Sequence, residues 1–239
     1  MDTASPASGA QWPMFAPVAD HGLMVSFGDE ISDVTSAAVL SLDRALADAP
    51  PIGFVECVPA FVNILIEFDP LLTDHAELRR HVDRLVHESV NQLDTGQWRE
   101  VEVCYDGEFG PDLAAVAAST GLSVDDVIHC HLQPDYQVRM YGFAPGYAYM
   151  SGVPLAIQVP RKPVALRNIP AGSVLVAGPQ CLVTTLAMPT GWSIVGRSPT
   201  RILGRGERTS FLFDVGDKVR FKRVDRVQFE TRRREACDE

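Results

Sequence analysis

"MYGFAPGYAYMSG" (Met140–Gly152) is the stretch on which the reading of the fold turns. It gathers Tyr141, Phe143, Tyr147 and Tyr149 in a chain that is only 8% aromatic, and breaks the run with Gly142, Pro145 and Gly146. Proline removes a ladder donor from a strand and an internal bond from a helix, so neither element passes through the middle. Two readings fit: a hairpin that packs a core, or a rigid loop that presents rings to a ligand.

Around this stretch, short β-like runs alternate with Gly and Pro: "YQVRMYGF", "IQVPR", "SVLVAG", "CLVTTLA", "WSIVG" and "SFLFDVGDKVRFKRV". Many short strands at such spacing point to a β-barrel or sandwich. Before them, "GPDLAAVAASTGLSVDDVIHCHL" reads as a helical pair, with Pro111 in a first turn and Ser123 and Asp126 capping the second helix. The N-terminal part has a different rhythm. "LMVSFG" is a strand, followed by a helix carrying Ile31, Val34, Ala38, Leu42 and Leu46 at helical spacing and stopped at Pro50-Pro51. "GFVECVPAFVNILIEFD" is two strands or one strand folded at Pro59, and "DHAELRRHVDRLVHESVNQL" is a second helix with Asp74 and Glu77 in capping-box spacing.

The chain therefore reads as α+β: a disordered lead-in over 1–19, a β-α-β-β-α domain over 20–98, a β-rich domain over 99–225, and a charged, frayed tail over 226–239. No internal repeat is visible. The 239 residues suffice for a core without metal or disulfide staples. The net charge of −10 argues against nucleic acid or an anionic membrane as the main partner. Five scattered cysteines without a C-x-x-C fit reduced thiols in a cytoplasm. No signal-peptide pattern is present, and no apolar run approaches the roughly 18 residues of a membrane span.

Three apparent motifs dissolve on inspection. The helical pair has a helix-turn-helix rhythm, but no Lys or Arg lies between Arg99 and Arg139, while Asp106, Asp112, Asp125 and Asp126 do, so it would repel phosphates. His75, His81 and His87 recur every six residues; six residues turn a helix by about 600°, so they do not converge on one metal. His129 and His131 diverge by about 200° on a helix, leaving a single functional imidazole or none. No phosphate loop, nucleophile elbow or H-E-x-x-H is present. What remains is a series of weak pieces: His131 to Tyr136, the opening stretch, Pro160-Arg161-Lys162, Pro170 to Ser173, Gly178-Pro179-Gln180, and Gly191-Trp192 through Arg197. Together they supply guanidinium groups, an imidazole, an amide and aromatic walls, the components of a site for a small anion.

In order and spacing, these pieces resemble the KipI/PxpB family, also called allophanate hydrolase subunit 1 or carboxyltransferase subdomain C. The resemblance covers roughly residues 20 to 222. Its motifs run His-x4-Tyr, GF-x-PGF-x-YL, P-R-R, V-PAGSV, G-x-QTG and GGW-x-x-IG. The chain departs from QTG-x-YP at Gln180-Cys181-Leu182-Val183-Thr184-Thr185, from GGW at Thr190-Gly191-Trp192, and from a later Pro-Arg at Ala165-Leu166. The resemblance implies a cyclophilin-like β-barrel behind the N-terminal domain and a heteromeric KipA/PxpC-like partner. With a LamB/YcsF-type (PxpA-like) subunit, it implies an ATP-dependent 5-oxoprolinase, ATP being bound with the partner subunits. Within that reading, His131, Arg161, Gln180 and Arg197 are the expected catalytic groups. Tyr136, Phe143, Pro145, Gly146, Tyr149 and Trp192 are the expected substrate-binding groups, and no metal site is expected. Relatives also suggest two other roles: a carboxyltransferase part of a urea carboxylase-like biotin enzyme, or a non-enzymatic KipI-like kinase inhibitor.

Overall fold

The computed structural model describes residues 12–88, 96–204 and 211–238. The chain divides between residues 93 and 94 into two compact units.

In the first unit, strands β1 (Met14–Val18), β2 (Gly22–Ser26), β3 (Phe54–Pro59) and β4 (Asn63–Phe68) form an antiparallel sheet in the order β1-β2-β4-β3. Helices α1 (Asp33–Asp48) and α2 (His75–Glu88) supply its core partners. Along β4, Ile64, Ile66 and Phe68 are buried while Asn63, Leu65 and Glu67 are half-buried, the period of two expected from sequence. They pack with Leu42, Leu46, Leu78 and Val82. Two expectations need correction. The lead-in does not extend to residue 19, because β1 pairs with β2 from Met14 onward; Pro17 is tolerated there because β1 is an edge strand. The rest of the lead-in, residues 1–11, lies outside the described residues. Helix α1 starts only after Ser32, whose side chain forms a capping box with Thr35. Its buried face is Val39, Leu42 and Leu46, so Ile31 and Val34 are exposed.

The second unit is a seven-stranded sheet in the order β12-β9-β10-β7-β6-β13-β5. Its strands are β5 (Trp98–Val103), β6 (Tyr136–Tyr141), β7 (Ala148–Ser151), β9 (Ser173–Ala177), β10 (Gln180–Val183), β12 (Ser193–Arg197) and β13 (Lys218–Arg223). Paired bonds between Cys104 and Arg197, 2.8 and 2.9 Å, connect the two edges and nearly close a barrel. The expected α+β class with a barrel-like second part is borne out. Helices α3 (Leu113–Thr120) and α4 (Val124–Leu132) contribute Val116, Ala117, Val127 and Ile128 to the barrel core. Pro111 lies just before α3 rather than in its first turn. The predicted Ser123–Asp126 capping box is present.

The barrel wall is apolar on both faces. Along β9, Val174 and Val176 point into the barrel core, whereas Leu175 and Ala177 join an outer cluster with Tyr147, Leu182, Trp192 and Ile194. A two-stranded sheet of β8 (Leu166–Ile169) and β11 (Met188–Thr190) contributes Ile169 and Met188 to that cluster. A continuous apolar run such as "SVLVAG" is what a strand buried on both faces requires. The terminal segment, expected as a frayed tail, is helix α5 (Arg226–Asp238). Phe229 anchors it, buried against Phe109 with ring centroids 4.5 Å apart. No helix among the described residues is long and apolar enough to cross a membrane.

Candidate functional site

The core of the Met140–Gly152 stretch is the connection between β6 and β7. Gly142 donates to Tyr147 O at 3.2 Å and Tyr147 donates to Ala144 O at 3.0 Å, closing a tight turn. Gly146 adopts φ +73°, and a Cβ there would sit 2.6 Å from Leu203 Cδ2. The Thr185 hydroxyl donates to Pro145 O at 2.6 Å and fixes the turn from outside. Phe143 also takes a left-handed conformation, φ +70°, which costs a non-glycine residue about 1–2 kcal/mol. Yet the residue is 70% exposed, so little burial offsets the strain. The turn packs a core through Tyr147, which joins the outer cluster, while Phe143 stands at the edge of a cavity.

That cavity, about 340 Å³, lies against the outer face of the barrel. Trp192 forms a wall, 6% exposed and edge-on to Tyr149 at 5.8 Å. The Arg161 guanidinium carbon lies 5.4 Å from the Trp192 ring centroid, a cation–π placement. Arg161 and Lys162 both line the cavity, and among the described residues no acidic side chain does. Lys162 is held by Asp112, Nζ to Oδ2 2.5 Å, and the same carboxylate oxygen accepts from the Ile194 amide at 2.7 Å. Asp112 thus ties the β12 backbone to the lysine, whereas Arg161 has no ion-pair partner among the described residues. Burial raises the pKa of Tyr147 and Tyr149, so both phenols stay protonated at neutral pH.

Chemically, a half-open aromatic pocket with one unpaired guanidinium suits a small planar ligand that carries a carboxylate or phosphoryl group. Four of the predicted residues, Phe143, Tyr149, Arg161 and Trp192, meet here. Pro145 and Gly146 shape the turn without lining the cavity. Sequence reasoning missed Tyr147 and Asp112. The first looked like one more ring in a cluster, and the second is brought to Lys162 only by the tertiary fold.

The remaining predicted residues lie elsewhere. His131 does face inward and His129 outward, as the helical angle required, but inward means the closed barrel core: His131 is 1% exposed. The Tyr105 hydroxyl pairs with its Nδ1 at 2.9 Å, Cys181 Sγ lies 3.7 Å from Nε2, and Phe221 stacks on it at 4.7 Å. Burial pushes the His131 pKa down to about 3, so the ring is neutral at any physiological pH. Tyr136 is equally buried, its hydroxyl donating to His131 O at 3.0 Å. Neither is placed to touch a ligand in the cavity. Gln180 begins β10, opposite Ser151 and Ala177, and lines neither this cavity nor a second one around Arg197. With a rise of about 3.3 Å per residue, it lies about 13 Å along the strand direction from Thr184, which lines both. Arg197 shares that second cavity with Arg201 and Arg233. Two departures from the family pattern, Leu182 for Gly and Thr184 for Tyr, fall on the lining of the first cavity. Among the described residues no group of His, Cys, Asp or Glu could hold a metal.

The comparisons with known proteins agree with the motif reading. Residues 13–213 match the family described as carboxyltransferase domain, subdomain C and D. The chain is 32% identical over 228 residues to the B-type 5-oxoprolinase subunit of Bacillus subtilis (strain 168), covering 91% of this chain and 95% of the relative. The crystal structure of TTHA0988 superimposes with a TM-score of 0.75 at 35% identity over 86% of this chain; the match spans 40% of that longer chain. Kluyveromyces lactis urea carboxylase shares the fold at TM-score 0.69 and 16% identity, over 91% of this chain and 22% of that one.

Proposed function

The chain belongs to the carboxyltransferase subdomain C and D family, within the KipI/PxpB group whose motifs it carries, and from that premise we propose that it is the B-type subunit of a heteromeric 5-oxoprolinase. The observation that carries this reading is the near end-to-end match to a protein of that name, together with the Arg161–Trp192 cavity. In this reading a KipA/PxpC-like subunit and a LamB/YcsF-type subunit complete the enzyme, and ATP drives it.

The chemistry fits the cavity. An unstrained lactam resists water because its nitrogen lone pair is delocalised into the carbonyl. Transfer of the γ-phosphoryl group of ATP to the lactam oxygen makes that oxygen a leaving group as phosphate. One water then adds at the activated ring carbon and the C–N bond opens with protonation of the nitrogen, giving the γ-acyl phosphate of glutamate. A second water hydrolyses that acyl phosphate to glutamate and phosphate, ADP having left at the first transfer. In this chain Trp192 and Tyr149 would stack on the flat five-membered ring, and Arg161 would hold its carboxylate. The rim ring of Phe143 would limit water. The proton transfers are assigned to the partner subunits, since His131 is shut inside the barrel.

Co-expression with the adjacent subunits tests the reading: ATP hydrolysis that depends on 5-oxoproline is the expected result. A well-folded complex without that dependence would transfer the case to carboxyl transfer, which the fold shared with urea carboxylase favours as second reading and which requires a biotin-carrier partner.

A further inference from the structure

The second cavity of this unit, about 370 Å³, brings together Arg197 from β12, Arg201 from the loop after it and Arg233 from α5. Among the described residues no Asp or Glu lines it, in a chain with ten more acidic than basic residues. None of the three guanidinium groups is in an ion pair with a described residue. Two are anchored through Nε alone: Arg201 donates to Leu203 O at 2.7 Å, and Arg197 donates to Ala171 O at 3.3 Å. Their Nη nitrogens have no protein partner among the described residues. Arg197 also lies over the Phe229 ring at 5.9 Å.

Helix α5 is what completes the cluster. Phe229, Arg233 and Ala236 line the cavity at spacings of four and three residues, one face of the helix. The neighbouring Arg232 points elsewhere and is paired with Glu102 and Glu235. The opposite wall is backbone held close: Gly172 has φ +83°, and a Cβ there would sit 2.4 Å from Ser198 O. Burial, and after it the charge of Arg233, lowers the Arg197 pKa, while Glu230 and Glu108 act in the opposite sense. Like charges gathered in a half-buried cavity are stabilised by an anion of matching charge.

We propose that the Arg197–Arg201–Arg233 cavity is a binding site for a phosphate group, carried either by inorganic phosphate or by the polyphosphate of a nucleotide. Guanidinium forks match tetrahedral phosphate oxygens pairwise, and three of them suit an anion of charge above one. Such a site does not depend on 5-oxoproline being the substrate, because it concerns binding by this chain alone.

Isothermal titration of the full chain with inorganic phosphate and separately with ATP, at constant ionic strength, is the test. Binding of at least one probe is expected, weakened by about tenfold or more in Arg201→Ala and in Arg233→Ala. A variant at an exposed arginine outside both cavities, Arg80→Ala, is expected to bind as the parent does. Tighter binding of ATP than of phosphate identifies the polyphosphate as ligand; equal binding identifies a single phosphate group. Arg201 and Arg233 are exposed, so their truncation leaves the fold intact, and a circular dichroism melt checks this. The inference is overturned if neither probe binds at low-millimolar concentration, or if binding is lost in Arg161→Ala and kept in Arg201→Ala and Arg233→Ala.

Discussion

The two faces of one barrel wall make opposite use of similar residues. Inside, His131, Tyr136, Tyr105 and Cys181 form a buried, hydrogen-bonded cluster, with the tyrosine and cysteine pKa values raised and that of the histidine lowered by burial. Outside, Tyr149, Trp192 and Arg161 border an open cavity. Adjacent residues of the same strands divide between them: Cys181 inward, Leu182 outward; Val195 inward, Ile194 outward. An ionisable side chain is therefore a poor guide to chemistry until its strand parity is known. The inner cluster is closed off in the barrel core, whereas the outer one borders an open cavity.

Substitutions on the two faces should separate accordingly. The largest effect is expected at Trp192→Ala, which removes a ring only 6% exposed and should cost roughly 3–5 kcal/mol in urea unfolding, along with 5-oxoproline turnover. A loss below about 1 kcal/mol would mean the outer cluster is not packed as described. Arg161→Ala comes next. The side chain is exposed, so the unfolding midpoint should hold, while KM for 5-oxoproline rises about 10- to 100-fold, equivalent to about 1.5–3 kcal/mol for a charged hydrogen bond.

The inner face should instead report through pH. The folded state holds His131 neutral down to about pH 3, whereas an unfolded histidine takes up a proton near 6.5. Between those values the unfolded state binds the extra proton. This group's contribution is thus fully present above about pH 6.5 and declines by up to about 1.4 kcal/mol per pH unit as pH falls towards 3. Chemical unfolding at several pH values should show that slope reduced in His131→Gln; an identical slope would place the ring in contact with water. The smallest effect is at Phe143→Gly. Relief of the left-handed strain should leave stability within about 1 kcal/mol of the parent, with a few-fold rise in KM from loss of the rim.

Much of this arrangement was legible in the sequence. The Gly and Pro punctuation marked the β6–β7 turn, the apolar run "SVLVAG" marked a strand buried on both faces, and Ser123 with Asp126 marked the start of α4. Four residues of the outer cavity were named for their chemical type. Where the fold separates residues that the sequence grouped, the reason is physical. His131 and Tyr136 were grouped with Arg161 because all belong to one set of motifs, and motif order does not encode that helix α4 and strand β6 turn the first two into the barrel core while Arg161 lies in a loop outside it. Arg197 and Arg161 were treated as equivalents although the fold sends them to different cavities. The run "RVQFETRRREACDE" read as a tail because its apolar content is low. A single Phe229 seated beside Phe109 secures the helix, and a pairing between residues so far apart in the chain has no local signature.

The central claim is that the outer cavity, and not the barrel interior, meets the substrate. It is tested most directly by KM for 5-oxoproline in two reconstituted complexes, one carrying Arg161→Ala and one carrying His131→Gln. The account predicts a KM raised at least about tenfold in the first and unchanged in the second, whatever the second loses in stability. An unchanged KM in Arg161→Ala beside a raised KM or abolished turnover in a folded His131→Gln complex would contradict it.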